Sequence, residues 1–135
     1  MNKIRKVIDD AESIRQTNPA EALRIFEGAL HQAINARDEE NITAAYFNIA
    51  IAYLNLSNFS DSLKNFIAAS ETPHAAKDKK LYAEILRGFG TNYFRTYNYK
   101  EALRYYSLSE QASIESGNTS NLYHIYMAFG SLFNR

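Results

Sequence analysis

Histidine is the side chain best suited to proton transfer near neutral pH, and this sequence holds three: His31, His74 and His124. They stand tens of residues apart, no His-Glu-x-x-His pair occurs, and there is no cysteine. The short spacings that hold zinc are therefore missing. The loops that cradle phosphates or present a nucleophile (Gly-x-Gly-x-x-Gly, the Walker loop, Gly-x-Ser-x-Gly) do not occur either. Gly88-Phe89-Gly90 comes nearest, but it lies inside a helical pattern, where Gly90 reads as a point of close packing. Asp9-Asp10 and Glu39-Glu40 fall at helix ends, where solvent and the helix dipole account for them. Lys77-Asp78-Lys79-Lys80, continued by Arg87 and Arg95, reads either as an anionic docking patch or as a solvated helix start. The second is favoured in a chain without net charge. No catalytic, metal-binding or cofactor-binding residue is assigned, and a non-enzymatic protein is expected.

Composition narrows the partners. The 135 residues carry 15 basic and 15 acidic side chains, and this balance argues against nucleic acid as a partner. Apolar residues make up 46%, enough for the core of one domain or one short helical stack. The absence of cysteine fits a reducing compartment. No apolar run reaches the ~18 residues of a membrane span, and the first ten residues hold no secretory signal. A cytoplasmic protein without membrane contact is expected.

Helical patterning runs the whole length. Ile4, Val7, Ile8, Ala11 and Ile14 line one face of a first amphipathic helix. Asn18-Pro19-Ala20-Glu21 starts a second, with Asn18 as N-cap, Pro19 in the first turn and Glu21 as capping-box acid. That helix is predicted to run to about Arg37. Asn98 with Glu101, and more weakly Asn58 with Asp61, repeat the spacing. Gly117-Asn118 ends one helix and opens the next. Pro73 is predicted to end the fourth helix near Glu71 or Thr72.

A forty-residue period lies above the helices. Ala22, Ser62 and Ala102 share it, as do Leu23, Leu63 and Leu103; Phe26, Phe66 and Tyr106; and Ala29, Ala69 and Ser109. A second set comprises Ile49, Phe89 and Phe129; Ala50, Gly90 and Gly130; and Tyr53, Tyr93 and Phe133. Such a period marks a repeat architecture whose units bury their apolar faces by stacking.

In these rows the chain resembles tetratricopeptide repeats, in a longer variant than the usual 34-residue unit. The rows Tyr46/Ile49/Ala50/Tyr53, Leu86/Phe89/Gly90/Tyr93 and Tyr126/Phe129/Gly130/Phe133 match the family's first helix, and the Ala22, Ser62 and Ala102 series match its second. The resemblance implies an all-α, right-handed superhelical solenoid of about three and a half helix–turn–helix repeats: 3–37, 41–76, 80–116 and an incomplete 120–135. Repeats of this length are similar to those of kinesin light chains, of adaptors of heterotrimeric G proteins, and of bacterial regulators and sensory domains. The composition leans toward the bacterial group, so a regulatory or sensory domain of a larger signalling protein is expected.

The same resemblance implies a concave groove that holds a protein or peptide. The repeat phase assigns Phe47, Asn48, Ile51 and Asn55 to it, then Arg87, Thr91, Phe94 and Arg95, with Glu84 and Gly88 beside them. The asparagines are suited to backbone amides of an extended peptide, the arginines to a carboxylate. Exchange of Arg87 and Phe94 is expected to remove partner binding and leave the fold intact. The family's carboxylate clamp for chaperone tails is not built: Asn48 alone matches. Val7 and Ala11, or Arg5 and Asp9 in a shifted register, hold the first pair of positions, and Glu84 and Gly88 the third. A small-molecule sensor would need a pocket near Tyr53, Tyr93 and Thr91, where no polar constellation is visible.

The sequence stops after the first helix of a fourth repeat. By phase, Ile125 and Leu132 face the third repeat, while Tyr126, Phe129, Gly130 and Phe133 face a missing neighbour. This chain is accordingly expected to be the N-terminal part of a longer protein, and the aromatic row to support a homodimer. The alternative to groove recognition is a homo-oligomerisation scaffold that associates through this last helix.

Overall fold

Six short polar side chains stand twenty residues apart: Asn18, Asp38, Asn58, Asp78, Asn98 and Asn118. In a computed structural model, which describes residues 2–134, each caps a helix. Each side-chain oxygen accepts from the backbone N–H three residues on, at distances from 3.0 to 3.4 Å. A helix start leaves its first N–H groups without helical partners, and an Asn or Asp oxygen has the reach to take one. The helices among the described residues are α1 (Lys3–Glu12), α2 (Pro19–Ala36), α3 (Glu39–Asn55), α4 (Phe59–Ser70), α5 (Pro73–Lys77), α6 (Lys79–Arg95), α7 (Tyr99–Ser116) and α8 (Thr119–Phe133), and the six caps open all but α1 and α5. Asn2 caps α1 by accepting from the N–H groups of Ile4 and Arg5. The described residues hold no strand, and no helix among them is long and apolar enough to cross a membrane.

The turns before four of these caps share one geometry. Arg37, Ser57, Tyr97 and Gly117 take left-handed backbone, with φ between 53° and 72°. The cap residue that follows then donates its own N–H back to Ala33, Tyr53, Tyr93 or Ser113, at 2.8 to 2.9 Å. One residue thus closes a helix and the next opens another. Only Gly117 is of the type that adopts this backbone without a Cβ penalty.

Pro73 acts as expected: α4 stops at Ser70, with Glu71 as its C-cap. The proline then opens the short α5, where a missing N–H costs nothing. Helix α1 is shorter than its apolar stripe, so Ile14 lies in the following turn and Val7 is exposed, while Ile8 and Ala11 are buried. Glu21 pairs its carboxylate with Arg24. Lys77, Lys79 and Lys80 are exposed around the Asp78 cap, as a solvated helix start.

The chain divides into two compact units, Met1–His74 and Ala75–Arg135. In the first, α1, α2 and α3 pack around Ile8, Phe26, Ala45 and Ile49, with alanines between them, and α4 packs against α3. In the second, α6, α7 and α8 enclose Ala102, Tyr106 and Ile125, with Tyr93, Phe94, Ala128 and Phe129 against them. Gly90 sets the distance between α6 and α7: a Cβ there would stand 2.6 Å from the Tyr106 ring.

Gly90→Ala should therefore destabilise the chain by about 1–3 kcal/mol in urea unfolding followed by circular dichroism. Gly130→Ala, whose Cβ meets nothing within 4 Å, should be neutral or stabilising by up to ~1 kcal/mol. Acid unfolding checks the Asp38 cap. Its carboxyl is held below the ordinary value by the Asn2 amide, against the effect of burial and with further help from Asn41 and Arg5. A depressed folded value means the contribution is present above the unfolded pKa and lost as pH falls through the folded one. Asp38→Asn keeps the cap and should flatten the stability profile below about pH 4.

Candidate functional site

The residues assigned to a groove in the first unit turn out to bind their own chain. Phe47 is buried, edge-on to Phe66 of α4 with ring centroids 6.1 Å apart. Asn48 is buried too; its amide donates to the Ala44 carbonyl at 2.9 Å and to Glu12 at 3.2 Å, and its oxygen accepts from Arg15. Asn55, on the exposed end of α3, donates to the Arg15 carbonyl at 3.2 Å. Two asparagines suited to a peptide backbone thus hold the α1–α2 turn. Buried amides need such partners, and the turn supplies them at no assembly cost. Ile51 is half-buried.

In the second unit Arg87 is likewise built in. Its Nε donates to Oδ1 of Asn121 at 2.6 Å. The Asn121 amide donates to the hydroxyls of Ser109 and Ser113 at 2.9 and 2.7 Å and to the Ala83 carbonyl at 3.3 Å. Asn118 adds bonds to the Lys80 carbonyl and to Glu84. This buried polar network ties α8 to both α6 and α7. Thr91 meets the Tyr106 hydroxyl at 3.0 Å. Burial pushes the Tyr106 phenol up, against the Thr91 bond and the Arg87 charge. His124 is pushed down by burial and by Arg87. Phe94 is half-buried and edge-on to Tyr99; Arg95 is exposed. Exchange of Arg87 without consequence for the fold, expected above, does not fit these bonds. Asn121 and Ser113 escaped sequence reading because polar residues on a helix ordinarily face water; Ser109 stood there as a small packing residue, without its hydrogen bonds.

Helix α8 carries four large exposed apolar side chains. Tyr123, Tyr126, Met127 and Phe133 are 63%, 52%, 60% and 67% exposed. With Gly130 they form one stripe at helical spacing. Phe129 departs from its expected place: it is half-buried, edge-on to Tyr106 at 6.3 Å and stacked on Phe133 at 5.8 Å. Tyr126 leans toward α7, its phenol beside Glu110. Tyr123 and Met127, not singled out in the sequence, complete the row in Phe129's stead. Ile125 is buried and Leu132 half-buried, as the phase required. The equivalent positions of α6 are Ala83, Leu86, Arg87, Gly90 and Tyr93, and they are covered: Ala83 is buried, Leu86 is 7% exposed, Gly90 lies under Tyr106, Arg87 is bonded to Asn121 and Tyr93 is stacked on Tyr105.

No family model, no curated protein and no solved structure matches the chain. Among the described residues, no group of three or more His, Asp or Glu side chains is arranged to hold a metal ion.

Asn121→Leu should cost about 2–4 kcal/mol, since it strips Arg87 and two buried serines of a shared partner. Arg87→Met should cost less, and the double variant less than the sum of the two, by ~1–2 kcal/mol in urea unfolding. Strict additivity would mean that the bond between the two side chains contributes nothing.

Proposed function

We propose that the chain is a non-enzymatic protein or peptide interaction module, a tetratricopeptide-type superhelical stack that engages its partner through the aromatic stripe of α8. The forty-residue rows and the twenty-residue caps support the repeat reading. The observation that carries the interaction reading is the contrast between α6 and α8, whose equivalent rows are covered in one and open in the other. The helix itself holds no Asp, Glu, Lys or Arg, so the loss of charge hydration on covering it falls on its margin, where Glu110 meets the Tyr126 phenol.

Taking ~200 Å² for each large side chain, the stripe exposes on the order of 500 Å². That exceeds what scattered surface residues explain, yet it falls short of the ~800 Å² per partner of a standard stable interface. A symmetric α8–α8 homodimer, the second reading favoured by the same stripe, is therefore weak on its own. A partner that reaches beyond α8 binds more tightly. The cytoplasmic and signalling setting implied by the family resemblance is part of this proposal.

The test uses the whole chain and its Tyr126→Glu/Phe133→Glu variant. A labelled peptide of residues 99–116, which copies the helix that covers α6, should bind the wild type saturably. The variant should bind ~10-fold more weakly or not at all, with its circular dichroism unchanged. Light scattering over a wide concentration range should show weak self-association in the wild type only. Failure of both wild-type responses overturns the reading.

A further inference from the structure

The forty-residue repeat is broken at one position where the structure shows what the break leaves behind. Ile49 and Tyr53 of α3 correspond to Phe89 and Tyr93 of α6, and Asn65 of α4 corresponds to Tyr105 of α7. In the second unit the Tyr105 ring lies flat against both partners. Its centroid is 4.9 Å from Phe89 and 5.6 Å from Tyr93, with planes only 22° and 15° apart. The Arg104 guanidinium sits over the Tyr105 ring, 4.6 Å from its centroid.

In the first unit the corresponding side chain is too short to do this. The Asn65 amide turns back to the Asp61 carbonyl at 2.8 Å. Beside it remains an open depression of about 320 Å³, bounded by Ile49 and Tyr53 and walled by Glu27, Leu30, His31 and Ile34 of α2. That volume is at the lower end of small-ligand sites. Its walls are isoleucine, leucine, the tyrosine ring and the His31 imidazole, which meets the Asn35 amide at 3.4 Å. Glu27 brings a negative charge into its lining; burial, then the charges of Glu27 and of Asp61 on α4, push the Tyr53 phenol up. The basic residues nearest in sequence are engaged, Arg24 with Glu21 and Lys64 with Asp61.

We propose that this depression binds a single aromatic ring that carries a positive charge, seated against Tyr53 and Ile49 where the second unit seats its own Tyr105. The ring replaces the missing stack, and the cation faces Glu27. This site is separate from the α8 stripe and holds whether or not that stripe binds a partner. Such a ring can belong to a free aromatic amine or to a basic-aromatic segment of a peptide.

The probes are tyramine, its uncharged counterpart p-cresol, and the blocked dipeptide acetyl-Arg-Tyr-amide, titrated into methyl-labelled full chain and followed by NMR. Tyramine should shift the Leu30, Ile34 and Ile49 methyls saturably and bind roughly threefold or more tighter than p-cresol. Asn65→Tyr, which copies the second unit, should fill the depression and abolish these shifts for every probe. Glu27→Gln should keep p-cresol binding and cancel the advantage of tyramine. Tighter binding of the dipeptide than of tyramine assigns the site to a partner's side chains, and the reverse to a free amine; both support the proposal. Absence of shifts at these methyls with all three probes, or their survival in Asn65→Tyr, overturns it.

Discussion

Gly90 has no side chain, and the Tyr106 ring stands where one would begin. That approach sets how closely α6 and α7 lie, and several other features of the second unit depend on it. It brings Tyr105 onto Phe89 and Tyr93, and Thr91 to the Tyr106 hydroxyl. It lets the Ser109 hydroxyl donate to the Ala83 carbonyl at 2.6 Å, so that Asn121 can close a network across three helices. The first unit solves the same problem with alanine and serine: Ala50 is fully buried, and Ser62 donates to its carbonyl at 2.8 Å. Small residues set the spacing and aromatics fill it, which is how helix pairs reach interior packing density.

A repeated structure gives every position an internal control. Tyr105 and Asn65 occupy the same place in successive copies, one stacked and one leaving a depression. Phe89 and Phe129 do likewise, one covered and one against a core that α8 only half closes. Departures from the repeat are therefore informative in themselves. A side chain lost at one copy, with its equivalent still in place at another, indicates the shape and chemistry of what fits there.

Much of the fold was legible in the residues. The caps at Asn18, Asn58, Asn98 and Asn118, the stop before Pro73 and the close packing at Gly90 follow from local chemistry. Asp38 and Asp78 were less visible because acidic residues also belong to ordinary solvated helix starts. The left-handed turns at Arg37, Ser57 and Tyr97 carry no signal in residue type and show only in the bonds that follow them. The groove residues were harder. Repeat phase fixes which side of a helix a residue faces, but not whether its hydrogen bonds are already satisfied. Asn48, Asn55 and Arg87 are satisfied by residues more than thirty positions away, and nothing local announces Arg15 or Asn121 as their partners.

The central claim is that α8 leaves open an aromatic row whose equivalent in α6 is covered. Solvent paramagnetic relaxation of the aromatic protons, measured with a soluble gadolinium chelate at dilute protein concentration, tests it directly. Tyr123, Tyr126 and Phe133 should broaden strongly, while Phe26, Phe66, Phe89 and Tyr106 remain sharp. If the α8 rings prove as protected as Phe89 in the dilute monomer, the row is already covered from within the chain, and α8 is not the surface through which this protein meets a partner.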